Sequence, residues 1–195
     1  MKYFDETPDI RLMGMAGKAR SGKDYLSQHY LIEPHDFIPL SLANWFKEEA
    51  VRIEGFDYDE IYEEKTPESR NYMQQRGTEN GRMKYGEDVW CDIVELRMKY
   101  FVDHGLRKFV ITDVRFRNEI EWIHELGGSV FYIFGRGGAE TDEAKNHQSE
   151  RELDQIDPDV FDAIVYNSSD VEDQVDRDMK RYLRKVGINK TSTAV

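Results

Sequence analysis

The sequence predicts an α/β fold in which a mostly parallel sheet carries helices on both faces. Short apolar segments alternate with segments whose apolar residues recur at helical spacing, which is the pattern of consecutive β-α units. A glycine-rich loop joins the first apolar segment to the first helical one. Two long interruptions, over residues 43–105 and 136–157, separate otherwise regular units. Together these observations predict one α/β domain with two insertions.

Five segments have the length and composition of strands. They cover residues 10–14, 36–42, 106–113, 129–134 and 161–166. The third, L-R-K-F-V-I-T-D, is of the buried type and ends in an acid. Pro39 weakens the second prediction, because proline has no N–H to donate to a neighbouring strand.

Helical segments lie between and after these strands. Apolar stripes predict helices over residues 23–31, 43–54, 90–101, 116–123 and 171–183. The run Thr-Pro-Glu at residues 66–68 is typical of a helix start, with threonine as the cap and proline in the first turn. Gly77, Gly81 and Gly86 are expected to break the stretch that follows into pieces.

The domain organisation follows from these elements. We expect a single domain over residues 1–195, with its core at about residues 10–42, 106–135 and 158–186. Long insertions in a regular α/β chain usually carry function. The second insertion, residues 136–157, is highly charged and almost free of large apolar side chains. We therefore expect it to bury little surface and to form a mobile excursion with a short helix.

The composition argues against several function classes. The net charge of −12 argues against binding of a DNA or RNA polymer, which needs many Lys and Arg contacts to phosphates. Cys91 is the single cysteine, so no intramolecular disulfide can form. The acidic N-terminus is unlike a signal peptide, and no apolar run approaches the length of a membrane span. We therefore expect a cytoplasmic protein without a membrane partner.

The glycine-rich loop has the pattern of a phosphate-binding loop. Residues 17–23 fit G-x-x-x-x-G-K between a predicted strand and a predicted helix, which is the context that such a loop requires. Gly17 and Gly22 let backbone N–H groups point at phosphate oxygens, and Lys23 adds a full positive charge. Between the glycines lie Lys18, Arg20 and Ser21. The alternative is a flexible turn that matches the pattern by chance.

Two acidic residues are candidate metal ligands. Asp24 stands where Ser or Thr usually follows the lysine, and a carboxylate is a hard oxygen ligand suited to Mg²⁺. Alternatively, or in addition, Asp24 caps the following helix. Asp113 ends a hydrophobic strand, at the end where ligands bind in parallel sheets. An acid there usually serves the metal or the attacking oxygen, and the alternative is an ordinary turn residue.

Two arginines follow Asp113 directly. Arginine is suited to clamp phosphate, so we expect either Arg115 or Arg117 to face the cleft. The other would pair with Glu119 or Glu121 on the surface.

The second insertion carries cations among its many acids. Arg136, Lys145, His147 and Arg151 lie in it. Phosphoryl transfer uses mobile cations that close over the phosphates and exclude water, so Arg136 and Arg151 are candidate catalytic residues of a lid. The alternative is a solvated loop with surface ion pairs. His147 alone does not indicate a metal site, because no second His or Cys stands at ligand spacing.

Several stretches together resemble one known family. They are G-K-A-R-S-G-K-D at residues 17–24, R-G-T-E-N-G-R at 76–82, G-E-D-V-W at 86–90, I-T-D-V-R-F-R-N-E-I-E-W-I at 111–123, H-Q-S-E at 147–150 and V-Y-N-S-S-D-V-E-D at 165–173. These stretches are similar to the deoxynucleoside monophosphate kinases of tailed bacteriophages. The resemblance implies a P-loop three-layer fold with a five-stranded parallel sheet, a helical substrate-binding insertion and a lid. It further implies ATP as donor, Mg²⁺ as cofactor and a deoxynucleoside 5′-monophosphate as acceptor.

The resemblance also implies roles for residues on the donor side. The loop residues already named would bind ATP, with Lys23 on the transferring phosphate and Asp24 on the metal. Asp113 and Arg115 would lie between donor and acceptor. Asn167 matches the position near the donor adenine in related kinases.

On the acceptor side, the family holds its substrate in the helical insertion. Lys47, Arg70, Gln74 and Arg82 lie there. Trp90 would either stack on a base or belong to the core. One departure from the family pattern is Arg117, which stands where a proline is usual.

The expected reaction is transfer of a phosphoryl group from ATP to a deoxynucleoside monophosphate, which supplies DNA precursors. Phosphomevalonate kinases of animals share a similar loop, so a kinase with a small non-nucleotide acceptor is the nearest alternative. A nucleotide-binding interaction module without turnover is the second. The expected partners are small nucleotides, and the insertion offers apolar residues for a possible homodimer. A bacteriophage protein of this kind would act in the host-cell cytoplasm.

Overall fold

The computed structural model of this protein describes residues 1–135, 152–167 and 172–188. Its centre is a five-stranded sheet in which each pair of neighbouring strands is parallel. The strands are β1 (Arg11–Ala16), β2 (Ile38–Leu40), β3 (Lys108–Val114), β4 (Ser129–Gly135) and β5 (Ala163–Asn167), in the order β2-β3-β1-β4-β5. The α/β class and the five-stranded parallel sheet are therefore confirmed.

Helices connect the strands. They are α1 (Lys23–Ser27), α2 (Glu33–His35), α3 (Asn44–Arg52), α4 (Tyr58–Tyr62), α5 (Pro67–Gly77), α6 (Met83–Tyr85), α7 (Val89–Asp103), α8 (Arg117–Glu125) and α9 (Glu172–Lys185). A π-helical turn, Gln28–Ile32, joins α1 to α2, and a second one, Thr78–Arg82, joins α5 to α6. Helices α3 to α7 form the insertion between β2 and β3.

Each face of the sheet buries its own apolar core. Alternate residues of β1 point to opposite faces, so Leu12 belongs to one core and Met13 to the other. Helices α7 and α8 cover the first face, and α1 and α9 cover the second. The chain therefore leaves β1 and β3, which are neighbours in the sheet, toward opposite faces. A crevice opens at their carboxyl ends, where ligands bind in open parallel sheets.

The edge position of β2 explains how its proline is tolerated. β2 pairs only with β3, so Pro39 leaves no unmade hydrogen bond inside the sheet. The strand is correspondingly short, with three residues instead of the seven predicted.

One prediction made from residue types is wrong, and a second needs a correction at the end of the second insertion. Gly77 and Gly81 do not break the helical stretch, which runs through α5 and the π-helical turn into α6 and ends only before Gly86. The end of the second insertion is anchored to the core, because Leu153 and Ile156 are buried on the face of α7 and α8, while Asp154, Gln155 and Asp157 stay exposed. A few apolar residues are enough to anchor a charged segment. The rest of the predicted lid, residues 136–151, lies outside the described residues.

None of the helices in the described ranges has the length and apolar character needed to cross a bilayer.

Candidate active site

The predicted phosphate-binding loop connects β1 to α1 in a tightly bent conformation. Gly17 has a φ of 150° and Gly22 a φ of 90°, and Arg20 between them has a φ of 61°. A Cβ atom at Gly17 would lie 2.8 Å from the carbonyl oxygen of Ile133 in β4. Only glycine fits so close to a neighbouring strand with a positive φ.

The back of this loop contains an unsatisfied hydroxyl group. Ser21 is 1% exposed, and its Oγ has no hydrogen-bond partner among the described residues. A buried hydroxyl without a partner is unfavourable, because its desolvation is not offset by a hydrogen bond. The Ser21 carbonyl oxygen accepts a 2.8 Å hydrogen bond from Nδ2 of Asn167 at the end of β5. Asn167 thus fastens the loop to the sheet, and its proximity to adenine stays a prediction.

Lys23 begins α1 with its side chain folded inward. It is 6% exposed, and its Nζ donates to the carbonyl oxygen of Lys18 at 3.4 Å. Lys18 itself forms an ion pair of 2.7 Å with Asp154, which lies near the end of the predicted lid. The loop is therefore linked to the end of the second insertion.

Asp113 lies at an irregularity in the sheet. Three residue steps on β3, from Ile111 to Val114, match two steps on β1, from Gly14 to Ala16. A bulge of this kind re-aims side chains and is common next to active sites. Here it lies beside the start of the phosphate-binding loop.

The carboxylate of Asp113 accepts three hydrogen bonds from the start of the insertion. Their donors are Ser41 Oγ at 2.7 Å, Leu42 N at 2.8 Å and Ala43 N at 3.0 Å. Asp113 therefore holds the entry to α3 against the end of β3. A carboxylate has about four acceptor positions, so one remains for a further contact. Its role as a metal ligand stays a prediction.

The two arginines after Asp113 point in different directions. Arg115 lines the cleft described below, whereas Arg117 is exposed and pairs with Glu121 at 2.8 Å, one helical turn along α8. Glu119 is buried and accepts hydrogen bonds from the backbone N–H groups of Arg115 and Phe116. Arg115 is thus the arginine that faces the site, which the sequence left open.

A cleft of about 310 Å³ opens between the phosphate-binding loop and the insertion. Six basic and three acidic side chains line it, in a protein whose net charge is −12. The basic residues are Lys23, Lys47, Lys65, Arg70, Arg82 and Arg115, and the acidic ones are Asp24, Asp113 and Glu119. Positive charge is therefore concentrated where the fold places a ligand.

Lys65 shows how closely these cations approach one another. Although part of its side chain is exposed to solvent, its pKa is lowered to about 8, first by desolvation and then by the charges of Lys47, Arg115, Arg70 and Lys23. Such mutual repulsion is unfavourable unless an anion occupies the cleft. No sequence pattern indicated Lys65, which lies in a polar run before the cap of α5.

The part of the cleft beside Gly77 of α5 is apolar. Phe46, Met73 and Trp90 line it together with Gly77. The ring of Trp90 lies 4.8 Å from that of Phe46, and its Nε1 donates to the carbonyl oxygen of Gly77 at 2.8 Å. Trp90 is buried and belongs to the core on this face of the sheet. The structure favours the core role over base stacking, the two roles that the sequence left open.

Comparison with known proteins gives a family for this fold and site. The family described as deoxynucleotide monophosphate kinase matches residues 58–177, more than half of the chain. The chain belongs to the deoxynucleotide monophosphate kinase family. A putative deoxynucleotide monophosphate kinase of Acanthamoeba polyphaga mimivirus is 29% identical over 184 residues, covering 83% of this chain and 91% of the relative. The kinase resemblance identified in the sequence is thereby confirmed.

Two solved structures are similar at low identity. One is a sugar kinase from Janibacter sp., with 14% identity, coverage of 93% of this chain and 97% of that chain, and a TM-score of 0.45. The other is a dephospho-CoA kinase from Campylobacter jejuni, with 12% identity, coverage of 91% and 98%, and a TM-score of 0.49.

Most of the site residues that the sequence predicted for this kinase-family protein lie together in the cleft. Those that line it are Lys23, Asp24, Lys47, Arg70, Gln74, Arg82, Trp90, Asp113 and Arg115. Gly17, Arg20, Ser21 and Gly22 form the adjoining loop, which Lys18 and Asn167 fasten to other segments. Arg136 and Arg151 lie outside the described residues. The roles of all these residues stay predictions.

The acidic residues of the cleft suit a magnesium ion held mainly by phosphates. Among the described residues no group of three or more His, Cys, Asp and Glu side chains could hold a metal by itself. Mg²⁺ bound with nucleotides needs only one or two carboxylates besides phosphate oxygens and water. Asp24 is exposed at the cleft, and Asp113 has one acceptor position left. Both therefore fit such an ion.

Proposed function

We propose that this protein transfers the γ-phosphoryl group of ATP to a deoxynucleoside 5′-monophosphate and releases ADP and the diphosphate. Membership of the deoxynucleotide monophosphate kinase family supports this proposal, as does the position of the cleft between a phosphate-binding loop and a helical insertion. The donor phosphates would bind at the loop, with Lys23. The acceptor would bind at the insertion, with Lys47, Lys65 and Arg70.

The cluster of cations is the observation that carries the proposal. Desolvation is the larger cause of the lowered pKa of Lys65, but the charges of four neighbouring cations lower it further, so five like charges lie close together in the cleft. A reaction between two phosphorylated substrates brings several negative charges into this space and relieves that repulsion. A ligand with a single negative charge would leave most of the repulsion between the cations unrelieved.

The wall formed by α5 matches an acceptor with one charged end and one apolar end. Arg70, Met73, Gln74 and Gly77 recur along α5 at helical spacing and line the cleft. At 1.5 Å per residue, they span about 10 Å, from a guanidinium to an apolar surface beside Phe46. The phosphate of a nucleotide would lie at the Arg70 end and its base at the Gly77 end.

The chemistry requires positioning and charge neutralisation more than proton transfer. The phosphate oxygen of the acceptor is already a nucleophile at neutral pH, so no strong general base is needed. Lys23 and Arg115 would stabilise the charge that spreads over the transferring group, and Asp113 would hold the entry of the insertion in place. When bound, Mg²⁺ would neutralise donor phosphate charge next to Asp24 and Asp113.

An assay of ADP release across several acceptors tests the proposal. We expect turnover with at least one deoxynucleoside monophosphate and none with phosphomevalonate. Ribonucleoside monophosphates are assayed in parallel. Lys23→Met should lower kcat by at least about 100-fold while keeping the fold. Lys99→Met is the matched control, because Lys99 pairs with Asp103 on the surface of α7. Absence of turnover with all deoxynucleoside monophosphates would overturn the proposal, and turnover of phosphomevalonate would favour the alternative acceptor.

A further inference from the structure

Arg82 lies at the end of the π-helical turn that extends α5, and its guanidinium is directed at the turn after β3. Nη2 donates to Oδ1 of Asn118 at 2.8 Å, and Nη1 lies 3.5 Å from Oε1 of Glu119. The guanidinium also stacks on the ring of Phe116, 3.9 Å from its centroid. Arg82 is only 8% exposed. These contacts join the helix that carries Arg70 and Gln74 to the start of α8.

Glu119 continues this connection to Arg115. It is 3% exposed, and its Oε2 accepts hydrogen bonds from the backbone N–H groups of Arg115 at 2.7 Å and Phe116 at 3.0 Å. A carboxylate that accepts two backbone N–H groups fixes the conformation of the turn that contains them. The turn is the one that presents the Arg115 side chain to the cleft.

A second contact fastens the same two parts of the chain. Nδ2 of Asn118 donates to Oδ1 of Asp88 at 2.8 Å and to the carbonyl oxygen of Glu87 at 3.1 Å. These two residues lie in the loop before α7, which belongs to the insertion. The first turn of α8 is therefore held by the insertion from two sides.

We propose that Arg82 and Glu119 are a positioning pair, through which the acceptor-binding insertion holds the backbone at Arg115 and so places its guanidinium for phosphoryl transfer. The expected effect of this pair on catalysis rests on the proposed kinase function. This positioning role differs from the sequence-based prediction that Arg82 itself binds the acceptor. The reason is that two of its guanidinium nitrogens and its flat face already meet residues 116–119.

Kinetics of variants at both positions separate a positioning pair from a ligand. In a positioning pair, Arg82→Met and Glu119→Gln each lower kcat about 10- to 100-fold, because a small misplacement of a catalytic group is costly. The KM for both substrates stays within about threefold, since the charged groups of both residues, although they line the cleft, are already engaged with each other and with residues 115–118. The double variant is no worse than either single one, because both act through the same contact. Arg82→Lys restores part of kcat.

Arg76→Met is the matched control. Arg76 lies on α5 and forms an ion pair with Glu49, with Arg76 Nε and Nη2 each donating to a different oxygen of the carboxylate. It does not line the cleft. The kcat of Arg76→Met stays within about threefold of that of the unaltered protein, so any larger loss in Arg82→Met is specific to the contacts of Arg82 with residues 116–119.

The dependence of kcat on pH also tests the pair, because a residue with a purely structural role would not alter this dependence when it is replaced. Burial raises the pKa of Glu119 to about 7, against the opposing effects of the two backbone N–H groups and Arg82, while Asp113 acts in the same direction as burial. Cys91 of α7 also faces it, with its own thiol pKa raised by burial. Protonation of Glu119 removes the charge that attracts Arg82, so kcat falls as the pH drops below about 7. Glu119→Gln lacks this fall and keeps only the titration of the substrate phosphates near pH 6.

Amide hydrogen exchange tests the pair without any turnover. In Arg82→Met, exchange over residues 113–117 becomes at least about tenfold faster, because Glu119 no longer holds the turn rigidly, whereas Arg76→Met leaves it unchanged. Equal exchange rates in Arg82→Met and in the unaltered protein overturn the positioning pair. A rise in the acceptor KM of Arg82→Met with kcat retained also overturns it.

The two proposals can fail separately. If the unaltered protein shows no kinase activity, the proposed function fails, and the exchange result still decides whether Arg82 and Glu119 hold the turn. The double variant, which buries no unpaired charge, covers the case in which a single variant does not fold.

Discussion

Asn167 and Ser21 are joined by a hydrogen bond that fastens the phosphate-binding loop to the end of β5. Nδ2 of Asn167 donates to the carbonyl oxygen of Ser21 at 2.8 Å. The same amide lies so close to Gly22 that a Cβ there would overlap it. The glycine of the loop motif therefore serves two needs, a positive φ of 90° and the approach of Asn167.

Asn167→Ala should weaken donor binding. Loss of one hydrogen bond of about 1 kcal/mol frees the loop backbone and raises the KM for ATP about fivefold. The acceptor KM should not change, because the acceptor is expected on the other side of the cleft. Steady-state kinetics with each substrate varied in turn measures both constants, and Asn71→Ala, at an exposed position of α5, serves as the control. An unchanged KM for ATP would show that the loop keeps its conformation without Asn167.

Lys65 should make acceptor binding dependent on pH. Its pKa of about 8 in the free protein means that the ammonium is charged below that pH and neutral above it. A neutral amine attracts phosphate weakly, so the acceptor KM should be flat up to pH 8 and then rise by up to about tenfold per pH unit. Initial rates at varied acceptor concentration from about pH 6.5 to 9.5 measure this. Lys65→Arg keeps its charge throughout and should abolish the rise; a rise that persists in this variant would assign the effect to another group.

Arg115 and Arg117 offer a direct comparison between two neighbouring arginines. Arg115→Ala should lower kcat by at least about 100-fold, because it removes a cation from the cleft. Arg117→Ala removes only an exposed ion pair with Glu121 and should leave kcat within about twofold. Comparable losses in both variants would contradict the placement of Arg115 alone in the cleft.

Replacing Gly81 by alanine and replacing Gly77 by alanine should have different effects on the free energy of unfolding. A Cβ at Gly81 would overlap Cζ2 of Trp90 and lie 2.7 Å from the carbonyl oxygen of Arg76, so Gly81→Ala should lower the free energy of unfolding by about 1–3 kcal/mol. At Gly77 the nearest atom is Cζ of Phe46, at 3.4 Å, and the backbone is helical. Gly77→Ala should therefore be neutral or stabilise by up to about 1 kcal/mol. Urea unfolding of the two variants measures the contrast, which would be absent if Trp90 can move aside.

Predictions from local sequence patterns were confirmed where the structure depends on neighbouring residues only. The strand–loop–helix context of the phosphate-binding loop and the threonine cap of α5 are both found where the sequence predicted them. The cap is an intrinsic preference, since Thr66 Oγ1 accepts from the N–H of Ser69. The same reasoning failed at Gly77 and Gly81. At Gly81 the missing side chain makes room for Trp90 on another helix, at Gly77 the backbone is simply helical, and neither glycine ends the helical stretch.

The sequence by itself determined the parallel α/β architecture, the phosphate-binding loop and the set of charged residues at its strand ends, because periodicity and motif spacing are properties of neighbouring positions. Only the tertiary structure decided that Arg115 faces the cleft and Arg117 does not, that Lys65 joins the cations, and that Arg82 contacts Glu119. These outcomes depend on distances between segments far apart in the chain. Such distances follow from how the insertion packs against the sheet, and no local pattern encodes them.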